Sequence, residues 1–87
     1  MRTENIKIID PIGIHARPAS AIVSAASKFS SEISFKMNEK VANAKSIINL
    51  MALGAKQNSI IDIVVNGADE EIALHTILEL LKKENII

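Results

Sequence analysis

Apolar and polar residues alternate with two different periods along this chain, which predicts strands and helices in succession. Near the start, Ile6 and Ile8 are separated by polar residues, so a strand with one buried face is predicted from about Thr3 to Ile9. The same two-residue period recurs three times further along the chain. It predicts strands over Ile33 to Met37, Val41 to Ala44 and Ile60 to Val65, the first two forming a hairpin.

Helical spacing of apolar residues separates these strands and predicts three helices. The first follows Gly13, and its apolar face is formed by Ala19, Ile22, Val23, Ala26 and Phe29. The second is short, with Ser46 as its N-cap and Gly54 as its stop. The third begins with acidic and ends with basic residues, as the helix dipole favours. The acidic residues are Asp69, Glu70 and Glu71, and the basic residues are Lys82 and Lys83. The residues predicted to face inward are Ala73, Ile77, Leu80 and Leu81.

The resulting order is β-α-β-β-α-β-α, which predicts an α+β fold. We expect a four-stranded antiparallel sheet with its three helices on one face. The chain has 87 residues, 48% of them hydrophobic, and no repeat or linker, so a single domain over residues 1–87 is predicted.

Composition excludes several classes of function. Ten basic residues balance ten acidic ones and the only aromatic residues are two phenylalanines, so nucleic-acid binding is not expected. A small RNA-binding α/β domain would share the outline of the fold, but the basic, aromatic sheet face of such domains is missing.

Location and cofactors follow from the same composition. No apolar run approaches the roughly 20 residues of a membrane helix, and the polar N-terminus does not fit a signal peptide. The chain lacks cysteine, which excludes disulfides and thiolate metal sites and is consistent with a reducing cytoplasm. We therefore expect a cytoplasmic protein with no metal and no cofactor. The second histidine, His75, is predicted to be a surface residue on the polar side of the third helix.

The stretch Gly13-Ile14-His15-Ala16-Arg17-Pro18-Ala19 carries the candidate chemistry. If the first helix begins at Ala16, His15 occupies the N-cap and Pro18 falls in the first turn, where a missing N–H is harmless. The N–H groups of Ala16 and Arg17 then face the imidazole, and the guanidinium of Arg17 suits phosphate oxygens. Arg17 read as a plain surface residue opposes the helix dipole, whereas a bound anion would explain it. The motif predicts an anion site around a nucleophilic nitrogen.

This stretch, together with Lys45 to Gly54 and Asn66 to Glu70, resembles the HPr family of histidine-containing phosphocarriers from the bacterial sugar phosphotransferase system. The resemblance covers essentially the whole chain. It implies an open-faced β-sandwich and a stoichiometric carrier, not a turnover catalyst. His15 matches the histidine that is phosphorylated on Nδ1, and Arg17 matches the arginine beside it.

The resemblance also implies partners. The phosphoryl group would come from enzyme I, with phosphoenolpyruvate as the ultimate donor, and would pass to sugar-specific IIA domains. Ser46 matches the serine phosphorylated by HPr kinase/phosphorylase, which would add a catabolite-control transcription factor as a partner. A monomer is expected. The alternative is an HPr-like regulatory module for carbon or nitrogen control that feeds no sugar transport.

Two further features concern the surface around the motif. The short helix is apolar on two sides, and we expect Ile47, Ile48 and Met51 to form an exposed docking patch beside His15. Position 12, often small or polar in the family, is Ile12, so any side-chain hydrogen bond from that position to the turn is lost.

Overall fold

The computed structural model describes all 87 residues and shows the predicted element order. The elements are β1 (Arg2–Lys7), α1 (Ala16–Ala26), β2 (Glu32–Met37), β3 (Lys40–Asn43), α2 (Ile47–Ala52), β4 (Ile60–Asn66) and α3 (Glu70–Lys83). The strands form one sheet in the order β1-β4-β2-β3 with every pair antiparallel, which confirms the predicted fold.

One face of the sheet carries the core and the other is uncovered. Alternate residues of β2 and β4 are fully buried, among them Phe35 and Ile63, which lie opposite each other. They share one hydrophobic cluster with Ile22 of α1, Leu50 of α2 and Ile77 of α3. All three helices therefore pack on the same face, and burial of their apolar stripes is the main force holding them there.

Several element boundaries differ from the prediction by one to three residues. The first strand ends at Lys7, although Ile8 continues the ladder by donating to Ser59 O at 2.9 Å. Helix α1 ends at Ala26, because Lys28 and Phe29 donate to carbonyls three residues earlier in a tightened last turn. Phe29 still packs against the core from this turn.

The remaining shifts are small. β3 begins and ends one residue earlier than predicted, and α2 ends at Ala52 with Leu53 as its C-cap. Leu80, predicted to face inward, is only partly buried. None of these changes moves an apolar residue to the opposite face.

The start of α3 is tied to the loop that follows α1. Asp69 is the N-cap of α3, but its carboxylate does not cap that helix. It accepts hydrogen bonds from the backbone of Ser30 at 2.9 Å and of Ser31 at 3.0 Å, and from the Ser31 hydroxyl. Helix α1, about 16 Å long at about 1.5 Å per residue over its 11 residues, lies between His15 and Ser30 along the chain.

A second carboxylate holds the N-terminal strand to α3. Glu70 pairs with the N-terminal ammonium of Met1 at 3.0 Å and accepts a hydrogen bond from Gly67 N at 3.2 Å. The ammonium bond, followed by that from Gly67, lowers the pKa of Glu70 below its ordinary value. Arg2 adds an ion pair with Glu71, the next residue of α3.

Candidate functional site

His15 stands at the start of α1 with its side chain unengaged. It is the N-cap residue, in extended conformation with φ −107° and ψ −172°, and its imidazole makes no capping hydrogen bond. Its carbonyl oxygen accepts the first helical bond, from Ala19 N at 3.0 Å. The predicted helix start is confirmed, and a half-buried imidazole is left with both ring nitrogens available.

The first N–H groups of α1 lack acceptors within the protein. Neither Ala16 nor Arg17 donates a backbone hydrogen bond, and the next residue, Pro18, has no N–H to donate. Pro18 is fully buried, so its ring anchors the first turn in the core. Two free amides beside an imidazole, at the positive end of an 11-residue helix, form an anion-binding arrangement.

Arg17 places an unpaired positive charge in the first turn of α1. Its side chain is exposed and takes part in none of the ion pairs of the structure, which all involve Met1 or Arg2 with Glu70 or Glu71. A guanidinium without a carboxylate partner is free to donate hydrogen bonds from its planar fork to the oxygens of an anion.

The loop before His15 is held by a residue that sequence reasoning missed. The Asp10 carboxylate accepts hydrogen bonds from Ile12 N at 2.8 Å and Gly13 N at 3.1 Å. At the end of the loop, Ile14 N donates to Ala55 O at 3.1 Å. The signal for the first contact was present, because an Asp-Pro pair followed closely by glycine is typical of a side-chain-closed turn.

Ser46 occupies the N-cap of α2, as predicted. Its hydroxyl oxygen accepts hydrogen bonds from Asn49, through the backbone N at 3.2 Å and the side-chain Nδ2 at 3.1 Å. The Asn49 side chain also accepts from Asn43 N at 3.3 Å, which links the cap to β3. Ser46 is half-buried and held in place by this short network.

The two sides of α2 differ as the sequence predicts. Leu50 and Leu53 are buried, whereas Ile47, Ile48 and Met51 expose 39%, 78% and 45% of their surface. Ile12, in the loop before His15, is 68% exposed. The three exposed α2 residues form what we call the docking patch.

Other potential sites are modest. His75 is exposed on α3, as predicted, and borders a shallow groove of about 290 Å³ with Arg2 and Glu71. No three histidine, cysteine or acidic side chains lie close enough together to hold a metal ion. None of the helices has the length and apolar character that crossing a membrane requires.

Comparison with known proteins connects this geometry to a family. Residues 2–83 match the family model described as the PTS HPr component phosphorylation site. The chain belongs to the HPr family. It is 49% identical over 88 residues to the phosphocarrier protein HPr of Mycoplasma pneumoniae, and the match covers 100% of both chains.

Solved structures of HPr proteins have the same fold. A mycoplasma histidine-containing phosphocarrier protein matches with a TM-score of 0.97 and 40% identity, covering 99% of this chain and 98% of its own. Crh of Bacillus subtilis, a catabolite-repression protein described as a domain-swapped dimer, matches with a TM-score of 0.75 and 29% identity, covering 100% and 99%. HPr proteins are phosphocarriers of the phosphotransferase system and not catalysts in the usual sense.

Proposed function

We propose that this protein accepts a phosphoryl group on Nδ1 of His15 from phosphorylated enzyme I and donates it to sugar-specific IIA domains. The observation that carries the proposal is the unengaged imidazole of His15 beside the free N–H groups of Ala16 and Arg17. A phosphorylated side chain carries about −1.5 to −2 charge, which the helix N-terminus stabilises. The family match over residues 2–83 supports the same role.

Arg17 holds the phosphoryl oxygens without trapping them. Its guanidinium can form two parallel hydrogen bonds to a phosphate. Because the side chain is exposed, water competes with this contact and keeps it weak. A carrier needs this balance, since a phosphoryl group held too tightly would not move on to the next protein.

The transfer exchanges one nitrogen–phosphorus bond for another. The lone pair of Nδ1 on a neutral His15 forms the new bond to phosphorus while the bond to the donor histidine breaks in line. The donor ring, protonated on its other nitrogen, leaves as a neutral imidazole, and the His15 ring carries the corresponding proton on Nε2. No proton has to be supplied, so the step depends on positioning and on charge stabilisation.

The docking patch is the surface on which enzyme I and IIA domains would land. Ile47, Ile48 and Met51 are large, apolar and exposed together on one side of α2. Exposed apolar clusters of this kind on small proteins mark interaction surfaces. The carrier would act as a cytoplasmic monomer, with one copy binding one partner at a time.

Ser46 would be a regulatory site. As the cap of α2 it can be phosphorylated by an ATP-dependent HPr kinase/phosphorylase without unfolding the helix, because a helix N-terminus favours negative charge. The added charge would lie beside the docking patch and weaken acceptance from enzyme I. The phosphorylated surface would then suit a catabolite-control transcription factor.

Intact-mass spectrometry tests the carrier role. The protein is incubated with phosphoenolpyruvate, magnesium and a catalytic amount of a mycoplasma enzyme I, whose activity is checked on the HPr of Mycoplasma pneumoniae. We expect one phosphoryl adduct that acid removes and base does not. His15→Ala should lose the adduct, whereas the matched variant His75→Ala, which removes the other histidine, should keep it.

Two results would overturn the proposal. An adduct that persists in His15→Ala would place the phosphoryl group elsewhere. No adduct on the wild-type protein, with an enzyme I that is active on the M. pneumoniae protein, would favour a regulatory module that feeds no sugar transport.

A further inference from the structure

The loop between β1 and α1 is anchored at both ends by distant parts of the chain. At its start, Ile9 N donates to Ile86 O at 2.7 Å, and at its end Ile14 N donates to Ala55 O at 3.1 Å. Ile86 itself is buried in the core. The ends of this loop are therefore fixed by the fold, and only the turn between them can vary in conformation.

Asp10 closes that turn. Its Oδ1 atom accepts hydrogen bonds from Ile12 N at 2.8 Å and from Gly13 N at 3.1 Å, and its own carbonyl oxygen also accepts from Gly13 N at 3.1 Å. A single side chain thus satisfies the two N–H groups at the bend. This is the pattern of an Asx turn, in which an aspartate or asparagine side chain replaces a backbone acceptor.

Gly13 leaves the turn little freedom. Its φ of +88° is open to glycine, and a Cβ atom built on it would lie 2.1 Å from Ala55 O. The backbone there runs directly against the segment that follows α2. Ile12 and Gly13 lie three and two residues before His15, so this turn sets the path by which the chain enters α1.

The negative charge of Asp10 needs an explanation at this place in the fold. Asp10 places a carboxylate in the loop that leads directly to His15, where a phosphoryl group would arrive with its own negative charge. Electrostatics alone would disfavour an acid at this position. The two hydrogen bonds account for the residue, and their contribution must outweigh the repulsion.

We infer that Asp10 is a positioning residue for phosphoryl acceptance. Its carboxylate holds the turn that sets the direction of the His15 imidazole and of the first free N–H groups of α1. This inference rests on the proposed function of His15. Because in-line transfer is sensitive to small misplacements, a loose turn should slow the transfer step, while binding through the docking patch on α2 should not change.

Three variants separate geometry from charge. Asp10→Ala removes both the hydrogen-bond acceptor and the charge, whereas Asp10→Asn keeps an acceptor at the same position and removes only the charge. Asp62→Ala is the matched control, because Asp62 also accepts one side-chain hydrogen bond, from Asn5 at 2.8 Å, on β4. Thermal melts of all variants set an assay temperature at which each remains folded.

The measurement is the rate of phosphorylation by phospho-enzyme I as a function of carrier concentration. For Asp10→Ala we expect kcat to fall by about tenfold with KM unchanged. A fall of this size corresponds to the net free energy of about one hydrogen bond. Asp10→Asn should recover the wild-type kcat or exceed it, and Asp62→Ala should match the wild type. Amide hydrogen exchange at Ile12 and Gly13 should accelerate in Asp10→Ala and not in Asp10→Asn.

These measurements distinguish a wrong inference about Asp10 from a wrong assignment of the carrier function to His15. If the wild-type protein is phosphorylated on His15 and Asp10→Ala has the same kcat, the inference is wrong while the proposed function stands. If Asp10→Asn is as slow as Asp10→Ala, the charge matters and not the hydrogen bonds, which also overturns it. A change confined to KM would assign Asp10 to docking instead of positioning.

Discussion

The Asp69 carboxylate accepts hydrogen bonds from both the backbone N–H and the hydroxyl of Ser31, the first at 3.0 Å. A further bond from Ser30 N, at 2.9 Å, completes the cluster. The Ser31 hydroxyl, followed by these backbone bonds, lowers the pKa of Asp69 from 3.8 to about 2. The cluster joins the loop after α1 to the start of α3, and its hydrogen bonds are strongest while Asp69 is ionised.

The cluster predicts loss of stability in acid. Because the pKa of Asp69 is lower in the folded than in the unfolded chain, its ionisation stabilises the fold above pH 3.8, and this contribution is lost as the pH falls towards 2. Asp69→Asn should therefore show a smaller loss of stability than the wild type between pH 5 and pH 2, as measured by urea unfolding at each pH. Some loss should remain, because the pKa of Glu70 is also lowered.

Asp62→Asn makes the same change of charge outside the cluster and serves as the control. If both variants flatten the pH profile equally, overall charge and not the Ser31 contacts controls acid stability.

Two glycines with similar backbone angles predict different costs of substitution. Gly13 and Gly54 have φ values of +88° and +71°, but a Cβ on Gly13 would meet Ala55 O at 2.1 Å, whereas Gly54 has open space within 4 Å. Gly54→Ala should lower the free energy of unfolding by about 1 kcal/mol through backbone strain alone. Gly13→Ala adds a clash with backbone and should cost more than about 3 kcal/mol. Equal denaturation midpoints would show that the loop moves away freely.

The two sides of α2 predict opposite effects of truncation. Leu50 is fully buried, so Leu50→Ala should destabilise the protein by about 2–5 kcal/mol. Ile48 is 78% exposed, so Ile48→Ala should change stability by less than about 0.5 kcal/mol but raise KM for phosphorylation by enzyme I. An unchanged KM in a folded Ile48→Ala variant would remove this residue from the docking patch.

Two substitutions of Ser46 should affect the stability of the protein and the rate of phosphoryl transfer in opposite orders. Ser46→Ala removes the acceptor for the Asn49 N–H and should cost about 1 kcal/mol, whereas Ser46→Asp keeps a good N-cap and should be close to wild type in stability. In phosphorylation by enzyme I the order should reverse, with Ser46→Ala near wild type and Ser46→Asp slower. Thermal melts and initial rates on the same samples measure both. Transfer that is equally fast in Ser46→Asp would mean that charge at this position does not reach the docking surface.

Local patterns were sufficient to predict the elements and the helix start at which His15 stands. Alternation at Ile33 and Phe35, and the position of Pro18 in a first turn, depend on neighbours a few residues away, so the second strand and the start of α1 could be predicted. The burial of Leu50 against the exposure of Ile48 follows in the same way from helical spacing.

Contacts between distant residues could not be predicted in the same way. Asp69 is predicted only as an acidic residue at the start of the last helix, whereas its carboxylate also binds residues 38 and 39 positions earlier. The hydrogen bond from Ile9 N to Ile86 O could not be predicted from hydrophobic periodicity. It forms only because the complete fold places the last residues of the chain beside the end of β1. The bonds from Ile12 N and Gly13 N to Asp10 are local instead, so the Asp-Pro-Ile-Gly stretch itself carries the signal for them.

The uncovered face of the sheet is a place where a label or a linker can be attached at a distance from the candidate site. Thr3 lies on that face, exposed and opposite Val64, and it is six residues before Ile9, or about 20 Å along an extended strand. Because the chain contains no cysteine, Thr3→Cys would create a single thiol there. A fluorophore or a surface linker on this thiol would leave the helical side facing solution, so that single-molecule binding of partners could be watched on an otherwise unmodified protein.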